Sequence, residues 1–239
     1  PIYSPLLIYD NGASVKDKGF LFTLNRVKKK LFKNYKLNSD GYVVLIDYSK
    51  FFENCSHDII KDVHKKYIRN ERVIKVIEDY LFIGKGIALG IEIAQREASI
   101  IPNSLDHYLE NKKLSSIRYM DDTVFFCENY NMACDILNKY IEMSSKLNIV
   151  INRKKTKIIK LSNWFMYCKW KFKIYDNGKI VMLPNNKTIY RQRRKLRKMI
   201  KNNVNKEDID IVKNSFKAYL NMGNSYRYIR IFSHKCHCI

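Results

Sequence analysis

Two adjacent carboxylates inside an apolar run constrain this chain more than any other feature. The stretch SSIRYMDDTVFFC, residues 115–127, carries Asp121 and Asp122 between Tyr119–Met120 and Val124–Phe125–Phe126. Burying an ionised carboxylate is costly unless it is paired or holds a metal. The pair therefore sits on an exposed hairpin tip or belongs to a site built around a cation. Ile117–Met120 and Thr123–Cys127 have strand composition, which predicts a hairpin with both acids at or near its turn.

A second acid ends a second apolar run. Val43, Val44, Leu45 and Ile46 are continuous, β-branched and of strand length, as in a strand buried on both faces, and Asp47 follows them. Asp47 either caps the helix after it or presents a carboxylate to a cleft. Apolar spacing predicts helix over 58–82, over about 93–109 with Pro102 kinking it or ending its first half, and over 132–147. NRKKTKIIKL then returns to strand. Strand, helices, acidic hairpin, helix, strand is a β-α-β-β-α-β unit, so the fold class is α+β. On that topology Asp47 comes beside Asp121, with Asp122 turned the other way in a supporting role. Carboxylates converging from neighbouring strands can bridge two Mg²⁺ ions about 3.5–4 Å apart and stabilise in-line phosphoryl transfer. Mn²⁺ is the alternative metal.

Charge names the partner class. Lys and Arg number 45 against 23 Asp and Glu, a net charge of +22 over 239 residues. Such a chain seeks a polyanion, with nucleic acid the leading choice. Between Arg153 and Lys201 the only acid is Asp176, whereas a solvated face normally mixes signs. A Gly- and Lys-rich loop with Gly12, Lys16, Lys18 and Gly19 passes into a basic helix around Leu24–Phe32 that includes Arg26 and sets Lys28, Lys29, Lys30 and Lys33 near one another. The loop and helix read as a phosphate-contacting surface or a solvated face. NWFMYCKWKFKI and KIVML suggest a second hairpin turning at Asp176–Asn177–Gly178, and RQRRKLRKMIKNN a basic helix beyond a domain boundary near residue 185. No stretch approaches 18 uninterrupted apolar residues and no signal peptide leads the chain, so the expectation is a cytoplasmic protein with no membrane partner. The scattered cysteines read as reduced thiols. His234, Cys236, His237 and Cys238 are spaced too tightly for an ordinary zinc site. The start at Pro1 reads as a fragment lacking an N-terminal part.

YMDD at 119–122, preceded by an Asp-ended apolar strand, resembles the reverse transcriptases. LIDYSKFF is similar to the family's first catalytic motif. The resemblance implies Asp47 as metal ligand, Tyr48 at the nucleotide, and Phe52, five residues on, as the gate against a ribose 2′-hydroxyl. GIALGIEIAQ resembles the motif lying against the incoming nucleotide and template, which implicates Leu89, Gly90 and Gln95. INRKKTKII resembles the motif with a basic residue near the triphosphate, Lys157 or a neighbour. NWFMYCKWKF resembles the primer-grip hairpin, and the segment from residue 188 the start of a thumb. Together they imply a right-hand polymerase: partial fingers over 1–40, a palm with inserted fingers helices over 41–185, and a basic helical thumb over 186–239. The implied activity is RNA-directed DNA polymerisation from dNTPs on an RNA template with a DNA or RNA primer, with room for an accessory protein. Tyr119 and Met120 would floor the primer terminus. Lys16, Lys18, Arg26, Lys169, Arg193, Arg194 and Arg197 would hold template and primer. Leu89–Gly90, Ala94 and Gln95 resemble the bacterial diversity-generating retroelement enzymes, with Ala where Ser is usual, and group II intron enzymes stand close by. Two other readings stay open: an RNA-dependent RNA polymerase of the same palm, which Phe52 opposes, and a catalytically silent or partner-dependent maturase-like RNA-binding protein.

Overall fold

The β-branched run at Val43–Ile46 becomes the central strand of a four-stranded antiparallel sheet. The computed structural model describes residues 3–82, 84–88, 90 and 92–234 and divides after Leu161 into two compact units. The first contains α1 (Phe20–Leu37), β1 (Tyr42–Asp47), α2 (Phe51–Asn54), α3 (His57–Tyr67), α4 (Glu71–Leu81), α5 (Glu92–Ile100), α6 (Asn103–Asn111), β2 (Ser115–Tyr119), β3 (Asp122–Cys127), α7 (Tyr130–Lys146) and β4 (Lys157–Lys160). Strand order is β2-β3-β1-β4, the arrangement a β-α-β-β-α-β chain reaches when each crossover skips one strand.

Two expected helices are each two. The 58–82 stretch breaks at Ile68–Asn70, where Ile68 leaves helical geometry and the Asn70 side chain accepts hydrogen bonds from the backbone N–H of Arg72 and Val73, capping α4. The 93–109 stretch breaks at Ile101–Pro102, because proline has no N–H to continue α5 and its ring crowds the preceding turn.

Alternation along the strands sorts the sheet's two faces. Val44, Ile46, Phe125 and Cys127 enter a core with Leu105 and Leu109 of α6 and Ala133, Ile136 and Tyr140 of α7. Tyr48, just past β1, keeps that parity and belongs to the same core. The residues between them face the other way, the side on which α1 lies along β2 and β3. Asp47 and its neighbours in register lie on that second face.

The second unit contains β5 (Phe165–Tyr167), β6 (Trp170–Ile174), β7 (Ile180–Pro184), α8 (Asn186–Lys201), α9 (Lys206–Leu220) and α10 (Tyr226–His234). The expected turn at Asp176–Gly178 is present, with Gly178 at φ +77°. A second turn at Cys168–Lys169 folds NWFMYCKWKFKI on itself, making a three-stranded meander where the strand pattern suggested a single strand and the resemblance a hairpin. Both residues take positive φ, 48° and 65°, as the two-residue turns that match strand twist require, although neither is Gly or Asn. The compact division at Leu161 therefore puts this sheet with the helices after it, ahead of the boundary expected near 185. Asn185 and Asn205 cap α8 and α9, and Ile189, Leu196, Ile209, Phe216 and Leu220 close the helical core. Among the described residues no helix is long and apolar enough to cross a membrane.

Candidate active site

Register brings the acids together. Asp47, the last residue of β1, is the cross-strand partner of Asp122, the first of β3, and Asp122 in turn pairs with Tyr119 at the end of β2. Directly opposed residues share a sheet face with Cβ atoms about 4.5–5.5 Å apart. The expectation gave Asp121 the place beside Asp47 and turned Asp122 away; Asp122 holds the opposed place, and Asp121 adjoins it as the second residue of the Met120–Asp121 turn. Met120 takes φ +55°, a left-handed conformation that a side chain adopts at a cost of about 1–2 kcal/mol.

The chain after α7 closes over Asp47. Tyr48 bridges Ile151, the Asn152 N–H donates to the Asp47 carbonyl at 2.8 Å, and the Asp47 N–H donates to Thr156 Oγ1 at 3.4 Å. These contacts bring the Lys155 ammonium to 3.2 Å from both carboxylate oxygens of Asp47, whose side chain keeps 22% of its surface in solvent. The expectation left the basic residue as Lys157 or a neighbour: Lys157 starts β4 opposite Leu45 and is exposed, and Lys155, two residues before it, is the one that reaches Asp47. Thr156 and the Asn152 turn set Lys155, a three-dimensional accident of the loop that spacing alone does not express.

Tyr48 is a correction. Its side chain is buried, its hydroxyl lies 2.6 Å from that of Tyr140, and burial pushes its pKa up to about 12. Its ring is turned into the core and is not available to a nucleotide. Phe52 stands in α2, half-buried, its ring edge-on to Phe51. Its carbonyl accepts the Ile87 N–H at 3.0 Å, which ties the 84–88 loop to α2. His57, stacked 4.0 Å from Phe82, bonds the Gly86 carbonyl at 2.6 Å and closes the same loop. Gly90 takes φ +92° with open space where a Cβ would stand, and Gln95 is exposed on α5. Leu89 lies outside the described residues, as do Cys236, His237 and Cys238 of the tail.

The expected nucleic-acid contacts divide. Lys16 is exposed. Lys18 instead donates to the Tyr9 carbonyl at 2.5 Å and lies 4.6 Å from the centre of its ring. Arg26 forms a two-bond ion pair with Asp10, which also receives Lys30 at 2.5 Å. Those cations hold the 8–12 segment, which lies beside β2 through Arg118 N–H to the Asp10 carbonyl and Gly12 N–H to the Arg118 carbonyl. Asp10 is the acid that composition hid: it converts part of a basic surface into a packed strap. Tyr119 packs edge-on against Phe20 of α1, and Met120 is half-buried at the turn. In the second unit Lys169 is exposed at the β5–β6 turn and Arg194 and Arg197 are exposed on α8. Arg193 lines a cavity of about 300 Å³ with Tyr190, Arg227 and Tyr228.

Carboxylate oxygens are hard donors suited to Mg²⁺, which takes one or two carboxylates and completes its shell with water and substrate phosphates. No three His, Cys, Asp or Glu side chains among the described residues form a ready metal-ligating group.

An antiparallel β2-β3-β1-β4 sheet with acids at the β1 end and the β2–β3 turn defines the palm of a right-hand polymerase. A family model described as reverse transcriptase (RNA-dependent DNA polymerase) matches residues 4–210, and the chain belongs to that family. Enzymes of this family generally use divalent metal ions. No curated protein sequence matches the chain. Among solved structures, telomerase from Candida tropicalis truncated of its C-terminal domain is similar over 65% of this chain and 39% of its own, at TM-score 0.51 and 14% identity. Telomerase from Candida albicans in complex with a fragment of telomeric RNA is similar over 67% of this chain and 34% of its own, at TM-score 0.53 and 8% identity. The chain thus spans well under half the length of either, and at these identities the likeness is one of fold.

Proposed function

We propose that the chain is the catalytic core of an RNA-directed DNA polymerase, in which a primer 3′-hydroxyl attacks the α-phosphate of a dNTP and pyrophosphate leaves. The observation that carries this reading is the register that sets Asp47 against Asp122 with Asp121 in the adjoining turn, in a member of the reverse transcriptase family. Asp47, Asp121 and Asp122 would hold two Mg²⁺ ions. When bound, such ions neutralise charge developing on the transferring phosphate and lower the pKa of the attacking hydroxyl. The residues around them supply position. Lys155 balances Asp47 and lies where a triphosphate's negative charge would be met. Tyr119 and Met120 floor the primer end, and Gly90 and Gln95 lie along the nucleotide and template. Phe52, anchored through its carbonyl to the 84–88 loop, excludes a 2′-hydroxyl. Lys16, Lys169, Arg193, Arg194 and Arg197 contact the phosphates of template and primer. The net charge of +22 supports a polyanionic substrate. Residues 1–40 correspond to partial fingers, the sheet and its helices to the palm, and the basic helices of the second unit to the thumb.

The test is primer extension on a primed RNA template with dNTPs and Mg²⁺. Asp121→Ala is expected to abolish extension while salt-sensitive RNA binding persists; normal extension by that variant would overturn the assignment. Phe52→Ala is expected to admit rNTPs, and unchanged sugar selectivity would remove the gate. We place the enzyme in a bacterial or phage retroelement, of the diversity-generating or group II intron kind, on the segment from Leu89 to Gln95. A genomic setting without a retroelement RNA would remove that placement. Binding without extension by the wild type would point to an accessory protein or to the maturase-like reading.

A further inference from the structure

A fully buried ion pair lies under the acidic turn. Arg118 and Asp106 are 0% and 1% exposed, and Arg118 stands in register with Thr123 and Ile46, the row next to Tyr119, Asp122 and Asp47. By strand alternation it faces the side packed against α6 and α7, opposite the acids. Its Nε donates to both Asp106 oxygens at 2.9 and 2.8 Å, and its Nη2 reaches Asp106 Oδ2 at 2.6 Å and the Ser99 carbonyl at 2.6 Å. One end of the planar guanidinium is thereby fixed between α6 and the end of α5. The other end, Nη1, donates to the Met120 carbonyl at 3.1 Å.

That carbonyl belongs to the peptide joining Met120 to Asp121. In a two-residue turn the soft motion is rotation of this peptide plane, through ψ of Met120 and φ of Asp121. Anchoring its oxygen to a rigid buried cation fixes the plane, and with it the direction in which Asp121 leaves the backbone. Met120 is held at φ +55°, a conformation that persists only where its surroundings determine it. A charge pair contributes little net stability compared with apolar residues of similar volume. Its value here lies in aim.

We propose that Arg118, oriented by Asp106, is a positioning residue that sets Asp121 for metal binding. The inference rests on the metal role given to Asp121 above. The experiment compares wild type, Arg118→Lys and the double variant Arg118→Met/Asp106→Leu, which removes both buried charges together and leaves neither unpaired. Thermal unfolding and RNA binding check the fold. Mn²⁺ affinity, read by electron paramagnetic resonance with bound primer–template and no nucleotide, reports aim without turnover, and single-turnover extension reports the reaction.

For the folded double variant the expectation is unchanged RNA binding with Mn²⁺ affinity weakened about 10–100-fold, the range seen when a ligand loses its outer support. Extension should fall by about 10²-fold, the cost of about 1 Å of misplacement. Arg118→Lys keeps a charge against Asp106 but cannot hold both ends, so it should fall in the same direction. Wild-type Mn²⁺ affinity and extension in either folded variant would overturn the proposal, as would failure of both variants to fold, which would make the pair structural. If wild type binds Mn²⁺ through Asp121 but does not extend, the polymerase reading fails while the Mn²⁺ comparison still decides this one. If Asp121→Ala does not weaken Mn²⁺ binding, both fail.

Discussion

Gly84 and Gly86 share a left-handed backbone, at φ +74° and +82°, but differ in what surrounds them. A Cβ on Gly84 would meet nothing within 4 Å, whereas one on Gly86 would stand 2.2 Å from the Phe52 carbonyl oxygen and 2.6 Å from that of Glu53. Those atoms are backbone of α2, so no rotamer change relieves the clash. Alanine at either site pays the left-handed conformation, about 1–2 kcal/mol. It also regains about 0.4–1 kcal/mol by restricting the unfolded chain, an offset common to both that cancels in their comparison. Only Gly86→Ala adds the overpacking cost of about 1–3 kcal/mol. At about 2–4 °C per kcal/mol for a chain of this size, Gly86→Ala should melt about 2–12 °C below Gly84→Ala. The same push on the Phe52 carbonyl displaces the proposed sugar gate, so Gly86→Ala should also blur the choice between dNTP and rNTP while Gly84→Ala leaves it intact. Thermal melts and paired primer-extension assays read both effects. Equal melting temperatures would refute the close approach, and a destabilised Gly86→Ala with unchanged sugar selectivity would detach the loop from the gate.

Two further substitutions probe buried groups. Tyr48→Phe removes the 2.6 Å bond to Tyr140 and leaves a buried hydroxyl unpaired, so stability should fall by about 1–3 kcal/mol while the KM for dNTP stays put; a raised KM with unchanged stability would restore Tyr48 to the nucleotide site. His64 is buried with Nε2 3.2 Å from Glu97 and Nδ1 3.5 Å from Glu78, and although burial alone would push its pKa down, the two carboxylates hold it above the ordinary 6.5. A raised folded pKa stabilises fully below the unfolded value and less as pH climbs through the folded one, so the stability advantage of wild type over His64→Gln should shrink as pH rises from 6.5; a pH-independent difference in chemical denaturation would remove the charged histidine.

The sheet was legible because its signals are local. Val43–Ile46 reads as buried strand by composition, the hairpin by its apolar flanks, and the acids by the oddity of carboxylates among Phe and Val. Once the β-α-β-β-α-β order is granted, antiparallel pairing of β1 with β3 brings Asp47, at the end of β1, to the start of β3. What a pattern of residue types does not carry is the last half-turn of geometry. The choice between Asp121 and Asp122 opposite Asp47 depends on a two-residue turn that admits Met120 at positive φ. The choice of Lys155 over Lys157 depends on the turn at Asn152. The Cys168–Lys169 turn carries no local signal, lacking the glycine or asparagine by which such turns are recognised, and only the resemblance to a hairpin pointed to it.

The question asked of Asp121 and Asp122 applied equally to three other residues. Arg118 interrupts Ile117 and Tyr119, Asp106 interrupts Leu105 and Leu109 on α6, and His64 sits on the apolar stripe of α3. Each is a titratable group among apolar neighbours, and each is buried. Their partners lie on different elements, Asp106 for Arg118 and Glu97 and Glu78 for His64, so sequence could flag the anomaly and not its resolution. The difference between the two kinds of buried charge is where their capacity goes. Arg118 spends its donors on Asp106, Ser99 and Met120 within the protein, whereas Asp47 keeps a solvent-exposed edge and the exposed ammonium of Lys155 beside it. A closed set of partners makes a support, and an open one makes a site; the palm places the first directly beneath the second.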